Sequence, residues 1–185
     1  MQDIEHLKNK VIQSALALAE MHNWADVTFH QIVRHCDCNE ADIRAIFDDN
    51  DAIISAYGRE VDLRVEEAFA NLSQSGESEK DRLFDVLMER FDILNENREA
   101  VISIVNAVTL DPRQSILSLP SVFKSMTRMV GIANIKSEGV RETLKITALT
   151  ALYIKILRDW VNDDSTDMAP TMASLDKALS YFDKL

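Results

Sequence analysis

The sequence has little glycine and proline, few aromatic residues and almost no cysteine. Its 185 residues include 4 glycines and 3 prolines, and so few chain breakers argue against sandwiches, barrels and glycine-rich phosphate loops. The two cysteines, Cys36 and Cys38, are one residue apart, which suits an intrachain disulfide poorly and fits a reducing compartment. No apolar run approaches the roughly 18 residues of a membrane span, and Met1–Glu5 lacks the pattern of a secretion signal. We therefore expect a cytoplasmic protein without a transmembrane segment.

Acidic residues outnumber basic ones along the chain. Asp and Glu total 31 against 20 Lys and Arg, so the net charge is −11. This sign disfavours a general affinity for nucleic acids or anionic membranes unless a basic patch is segregated. No histidine lies beyond residue 35, and no Ser–His–Asp, Cys–His or glycine-rich constellation appears. We therefore expect a protein that is not an enzyme, with no catalytic residues and no cofactor.

Apolar residues recur at helical spacing along nearly the whole chain, which predicts an all-α fold of about nine helices. The predicted helices cover approximately 3–21, 28–35, 40–46, 51–69, 79–95, 98–111, 120–134, 140–161 and 167–184. Pro120 is expected in the first turn of the seventh helix, where proline is well tolerated. A polar segment over 73–78 is typical of a linker.

Residues 28–54 have the pattern of a helix-turn-helix, two short helices around a four-residue turn after a longer first helix. The positions that carry this pattern are Thr28, Phe29, Ile32, Ile43, Phe47, Ile53 and Ile54, with Trp24 in the loop before them. In these residues the chain resembles the N-terminal domain of TetR-type transcription regulators. The resemblance implies a three-helix head over 1–50, with helix 4 connecting from about 51. It further implies a helical ligand-binding and dimerisation domain over 51–185. A plain three-helix bundle is the alternative.

The same resemblance implies DNA contacts from the head. The candidate DNA-binding residues are Thr28, His30, Arg34, Asn39 and Arg44. The head departs from the family pattern at the turn, where Cys36 and Asp37 replace a small residue and a glycine, and at Asn50, where the family usually has a lysine. Glycine is favoured in such a turn because φ is often positive there.

The head is also strongly acidic. From Asp26 to Asp51 there are two arginines and seven acidic residues, a net charge of −5. Because neutralisation of phosphates supplies most non-specific DNA affinity, a surface of this sign repels a duplex. We therefore expect direct DNA binding to be weakened.

A narrower resemblance covers about 35 residues of the C-terminal part. The segments 81–94 with Arg98, 160–168 and 171–179 are similar to a TetR-like bacterial subgroup related to the coenzyme Q biosynthesis accessory family, which binds lipids. This similarity implies a homodimer with an apolar cavity, a lipid ligand and, in the quinone branch, no DNA role. That branch has a membrane-touching amphipathic helix near its C-terminus. Here Asp176 and Asp183 balance Lys177 and Lys184, so we expect residues 168–182 to pack against protein.

Apolar residues on the middle helices form the predicted ligand pocket, and methionine suits such a site because it adapts to varied shapes. The candidates are Phe84, Leu87, Met88, Phe91, Ile104, Val108, Phe123, Met126, Met129 and Tyr153. Thr127 and Arg128 are candidate partners for a ligand head group. Simple core packing is the alternative for each apolar residue.

The last two helices are apolar on more than one face, which predicts a four-helix dimer interface with twofold symmetry. The candidate interface residues are Leu149, Leu152, Ile156, Met172, Leu175, Leu179 and Phe182.

Two further clusters have the residue types of metal sites. The first consists of His30, His35, Cys36 and Cys38, and the second of Asp159, Asp163, Asp164 and Asp167. The spacing of the first cluster matches no typical zinc pattern, and the second lies where one helix ends and the next begins, with Asp167 placed to cap the last helix, so we predict no metal site and a structural role for both clusters. Taken together, the sequence predicts a homodimeric TetR-type regulator that senses an apolar small molecule or lipid. The alternative is a lipid-binding accessory protein of the same fold that has lost DNA binding.

Overall fold

The computed structural model describes residues 2–70, 78–136 and 139–182, and in these ranges the fold is entirely helical. The helices are α1 (Gln2–Met21), α2 (Phe29–Cys36), α3 (Glu40–Arg44), α4 (Asn50–Phe69), α5 (Glu79–Asn95), α6 (Arg98–Leu110), α7 (Pro112–Ile132), α8 (Val140–Val161) and α9 (Ala169–Phe182). A single 3₁₀ turn, Trp24–Asp26, follows α1. The all-α prediction is confirmed. The predicted linker over 73–78 lies outside the described residues apart from Ser78.

The chain forms two compact units. Unit 1 consists of residues 1–60 and 94–119, and unit 2 consists of residues 61–93 and 120–185. The chain passes from one unit to the other within α4, α5 and α7. No helix in the described ranges is long and apolar enough to cross a membrane.

Unit 1 is built around the apolar stripe of α1, which packs against α2 and α6. Ile32 of α2, Ile43 of α3 and Ile53 of α4 are fully buried, so each of these helices contributes at least one side chain to the core. Polar contacts hold the loop after α1. The Trp24 amide donates a hydrogen bond to Ser103 Oγ at 2.9 Å, and this hydroxyl donates to the His22 carbonyl oxygen at 3.1 Å.

Unit 2 has an aromatic core with a polar centre. Phe91 stacks on Tyr153 with ring centroids 5.6 Å apart and lies 6.0 Å from Trp160. Beside it, Arg90 Nε donates to Asp62 Oδ1 at 3.1 Å, and Ser125 Oγ donates to the same oxygen at 2.6 Å.

Arg90 Nη1 also donates to the hydroxyl of Tyr153. Burial of that phenol raises its pKa, and the charge of Arg90 opposes the rise while that of Asp62 adds to it. These buried polar groups tie α4, α5, α7 and α8 together, because each partner comes from a different helix.

The prediction that the seventh helix begins at Pro120 is wrong. Helix α7 begins at Pro112, and Pro120 lies inside it. Pro112 takes the first-turn position that proline prefers, and Asp111 Oδ1 caps the helix by accepting from the Arg113 amide at 2.9 Å. The interior proline removes one helical hydrogen bond but does not end the helix.

Candidate functional site

The helix-turn-helix of the head consists of α2, a short turn and α3. Thr28 and Gln31 form a capping box at the start of α2, with the Thr28 amide donating to Gln31 Oε1 at 2.7 Å. Asn39 Oδ1 caps α3 by accepting from the Ala41 amide at 2.8 Å. Asp37, in the turn, has φ 49° and ψ 49°, the left-handed conformation that favours glycine. The turn therefore has the geometry expected from the sequence, with an aspartate in the glycine position.

Three of the five candidate DNA-binding residues make contacts within the head. Thr28 and Asn39 cap helices, and Arg44 forms an ion pair with Glu40 at 2.8 Å while its guanidinium lies 4.6 Å from the centroid of the Phe29 ring. His30 and Arg34 are exposed. The sequence could have indicated the Arg44 pairing, because Glu40 lies four residues before it.

The charge on the head lies at the surface. Asp26, Asp37, Asp42, Asp48 and Asp49 are exposed, as is Asp51. The Arg44 charge is offset by Glu40. The exposed side chains of residues 26–51 therefore keep the negative sign that the sequence count indicates, and a phosphate backbone approaching them meets repulsion.

Unit 2 has an open groove with a volume of about 550 Å³ between the end of α4 and the second half of α7. It is lined by Glu66, Phe69, Ala70, Lys124, Thr127, Arg128, Gly131 and Ile132. Arg128 Nε lies 3.8 Å from Glu66 Oε2 across exposed surface. Thr127 Oγ1 donates to the Phe123 carbonyl oxygen at 2.9 Å. The groove thus combines two cations and a carboxylate with an apolar wall.

The ten predicted pocket residues lie elsewhere. Leu87, Phe91, Met126 and Met129 are fully buried, and Ile104 and Tyr153 are nearly so. Phe84, Met88, Val108 and Phe123 are half-buried. The groove walls that the structure describes contain none of the ten, but they contain both candidate head-group residues, Thr127 and Arg128. Periodicity identified apolar faces correctly, but it does not separate a face that fills the core from one that lines a cavity.

Most predicted interface residues are covered within one protomer. Leu149, Ile156, Leu175 and Leu179 are fully buried in the single chain, and Leu152 is half-buried. Met172 is 40% exposed. The side chain of Phe182 lies outside the described residues. Other apolar residues of the last two helices are exposed, namely Val140 at 78%, Leu144 at 63% and Tyr181 at 64%.

The acidic residues at the junction of α8 and α9 organise the start of α9. Asp163 is 4% exposed and accepts hydrogen bonds from the amides and hydroxyls of Ser165 and Thr171, at 2.5 to 3.1 Å. Burial opposes its ionisation, but these four hydrogen bonds outweigh the effect and lower the Asp163 pKa to about 2. Asp167 Oδ1 accepts from the Ala169 amide at 3.2 Å.

Asp159 accepts from Lys155 Nζ and from Ser174 Oγ, both at 2.7 Å. Burial again opposes ionisation of this carboxyl, but the two hydrogen bonds and the lysine charge lower its pKa. In the described part of the chain, no three histidine, cysteine or carboxylate groups are placed to hold a metal ion.

The cysteines of the head are both free thiols. Cys36 is buried, and Cys38 Sγ donates to the Cys36 carbonyl oxygen at 3.1 Å. Burial, together with the neighbouring Cys38, raises the pKa of the Cys36 thiol to about 11, so this thiol stays protonated and unreactive at neutral pH. His30 and His35 are exposed.

The fold is similar to solved structures of bacterial regulators. It matches a TetR transcriptional regulator from Nitrosomonas europaea ATCC 19718 with a TM-score of 0.76 and 18% identity, over 97% of this chain and 99% of that one. It matches a TetR transcriptional regulator from Rhodococcus sp. RHA1 with a TM-score of 0.73 and 16% identity, over 98% of this chain and 96% of that one. No protein-family model and no curated protein matches the sequence. The similarity therefore establishes the fold, and that fold is the one found in TetR-type transcriptional regulators.

Proposed function

We propose that the protein is a homodimeric TetR-type transcriptional regulator that responds to an apolar or amphipathic small molecule or lipid. The observation that carries this proposal is the pairing of a capped helix-turn-helix with a fold that matches TetR regulators over nearly the whole chain. Fold alone does not specify function, so the DNA, dimer and ligand components are each argued below from particular residues.

The head binds duplex DNA weakly and with a preference for low salt. Helix α3 presents Ala41, Asp42 and Arg44 at exposed positions, and only Arg44 carries a positive charge. Fluorescence polarisation measures this affinity with two labelled duplexes, one of random sequence and one from the region upstream of the gene. Absence of binding to both at low salt would contradict a DNA-binding role.

A charge-reversed head tests whether the acidic surface limits this affinity. Asp42→Lys with Asp48→Lys is expected to tighten binding, and each lysine that neutralises a phosphate makes the slope of log K against log salt steeper by about 0.9. The matched control is Glu67→Lys with Asp164→Lys, two exposed residues of unit 2. Equal effects of both pairs would show that net charge, not the head surface, determines the affinity.

Two copies of the chain associate through the exposed side of α8 and α9. Val140, Leu144, Met172 and Tyr181 leave apolar surface uncovered on these helices, and such surface favours burial against a second chain. Leu144→Glu should shift the mass measured by light scattering from dimer to monomer. Leu63→Glu, a change at an apolar residue of α4 that is 48% exposed, should leave the dimer intact. A monomeric wild type would refute the dimer.

The groove of unit 2 binds the ligand. Phe69 and Ile132 offer an apolar wall, and Lys124 and Arg128 offer positive charge for a head group, so a long-chain carboxylate is the simplest probe. Arg128→Gln with Lys124→Gln should weaken binding of dodecanoate, while Lys155→Gln, on exposed surface of α8, should not. Equal weakening by the double variant and by Lys155→Gln would contradict binding of the ligand in the groove. Mass spectrometry of an organic extract identifies a ligand that copurifies.

The acidic surface of the head favours the second candidate, a lipid-binding accessory protein that has lost DNA binding. The two functions share the fold and the groove, so binding of dodecanoate does not separate them. Duplex binding at low salt separates them, because only the regulator needs it.

A further inference from the structure

Helix α7 exposes apolar side chains in its first half. Ile116, Leu117 and Leu119, together with Leu110 at the end of α6, are between 42% and 82% exposed. All four lie within residues 110–119. Single exposed apolar residues are ordinary on a protein surface, but a group of this density is typical of a surface that binds another molecule.

Positive charge is segregated on the same helix. The chain has a net charge of −11, yet residues 112–137 contain no acidic residue, the longest such stretch in the sequence. Arg113, Lys124 and Arg128 of α7 are exposed. Arg128 Nε lies 3.8 Å from Glu66 Oε2, so its charge is partly offset. A basic helix in an acidic chain is the segregated patch that an anionic partner requires.

The apolar and the basic residues share the solvent side of α7. Arg113, Leu117 and Lys124 recur at intervals of four and seven, close to whole numbers of helical turns. The opposite side of the helix faces the core, where Met126 and Met129 are fully buried. One face of a single helix therefore offers both aliphatic side chains and cations.

We propose that this exposed face of α7 docks on an anionic lipid surface. Its aliphatic side chains enter the headgroup region, and Arg113 and Lys124 reach the lipid phosphates. Long basic side chains suit this position, because their stems are apolar and their charged ends extend to the polar layer. A nucleic-acid duplex fits less well, since its backbone offers nothing apolar to the leucines. A second copy of the same face also fits less well, because a twofold contact brings these cations near their own counterparts.

The test is flotation of the full-length protein with lipid vesicles. One set of vesicles contains phosphatidylcholine and phosphatidylglycerol in equal parts, and the other contains phosphatidylcholine alone. The protein is expected to float with the anionic vesicles, to do so less as salt is added, and to bind the neutral vesicles much more weakly. Equal binding to both sets, or no binding to the anionic set, would overturn the proposal.

Two double variants separate the apolar from the electrostatic part of the contact. Ile116→Gln with Leu117→Gln should weaken binding to the anionic vesicles by about tenfold or more. Arg113→Gln with Lys124→Gln should weaken it about tenfold. Two unopposed cations would give about thirtyfold, but Asp111 lies beside Arg113 and reduces its contribution. All four changes are at exposed positions, so circular dichroism should show the helical content of the wild type.

Matched controls remove the same kinds of group away from α7. Leu63→Gln replaces an apolar residue of α4 that is 48% exposed, and Lys10→Gln with Arg158→Gln replaces two exposed cations. Both controls should leave the affinity for anionic vesicles nearly unchanged. A loss as large as that of the corresponding α7 variant would overturn the proposal.

Two further measurements identify a different occupant of the face. A lower mass of the Ile116→Gln and Leu117→Gln variant in light scattering, without vesicle binding by the wild type, would assign the face to a second copy of the chain. A loss of duplex affinity in the Arg113→Gln and Lys124→Gln variant, again without vesicle binding, would assign it to a nucleic acid. Either result would overturn the proposal. The vesicle outcomes do not depend on whether the head binds DNA.

Discussion

Asp163 is the residue at which the link between α8 and α9 can be tested most directly. Its carboxylate is 4% exposed and accepts four hydrogen bonds from Ser165 and Thr171. The pKa falls from 3.8 to about 2, and a depression of this size corresponds to about 2 kcal/mol of stability when the group is ionised. In Asp163→Asn, the amide NH₂ of the new side chain faces the hydrogen-bond donors of Ser165 and Thr171. We therefore expect the free energy of unfolding to fall by about 2–3 kcal/mol at neutral pH.

The pH dependence of this loss follows from the direction of the pKa shift. A carboxyl whose pKa is lower in the folded state stabilises that state fully above its unfolded pKa, and the stabilisation disappears as pH falls through about 2. Urea unfolding followed by circular dichroism should therefore show a difference between wild type and Asp163→Asn that is large at neutral pH and shrinks in acid.

Asp164 provides the control for this measurement, because it is the exposed neighbour of Asp163. Asp164→Asn should change stability by less than about 0.5 kcal/mol at every pH. A difference for Asp163→Asn that stays constant between neutral pH and pH 2 would refute the reasoning, since it would show that the ionised carboxylate is not what the four donors stabilise.

Two more substitutions test the turn of the head and the polar centre of unit 2. Asp37→Gly should stabilise the chain by about 0.5–1 kcal/mol, because it removes a side chain from a left-handed position; an equal gain from Asp37→Asn would indicate relief of charge instead. Arg90→Met should lower the free energy of unfolding by about 3–5 kcal/mol, because it leaves the buried Asp62 carboxylate without its ion-pair partner. Adding Asp62→Asn should restore part of this stability. Lys8→Met, at an exposed ion pair, should cost under about 1 kcal/mol, and thermal unfolding measures all of these variants.

The sequence predicted the helices more completely than the sites, and the reason is physical. Helical periodicity reports which face of a segment is apolar, so α5 was predicted with the bounds Glu79–Asn95 that the structure has. Periodicity does not report what covers that face. Leu175 and Leu179 have the apolar spacing that is expected of a dimer interface, yet they are buried within one chain.

Contacts between distant residues account for most of what the sequence could not supply. The hydrogen bonds between Arg90, Asp62 and Ser125 join positions 28 and 63 residues apart, and no local pattern indicates them. Local signals account for the caps, since Thr28 and Asn39 are residue types preferred at a helix N-terminus and both accept the capping hydrogen bonds of α2 and α3. A local rule also failed at Pro120, because Pro112 already occupies the first turn of α7.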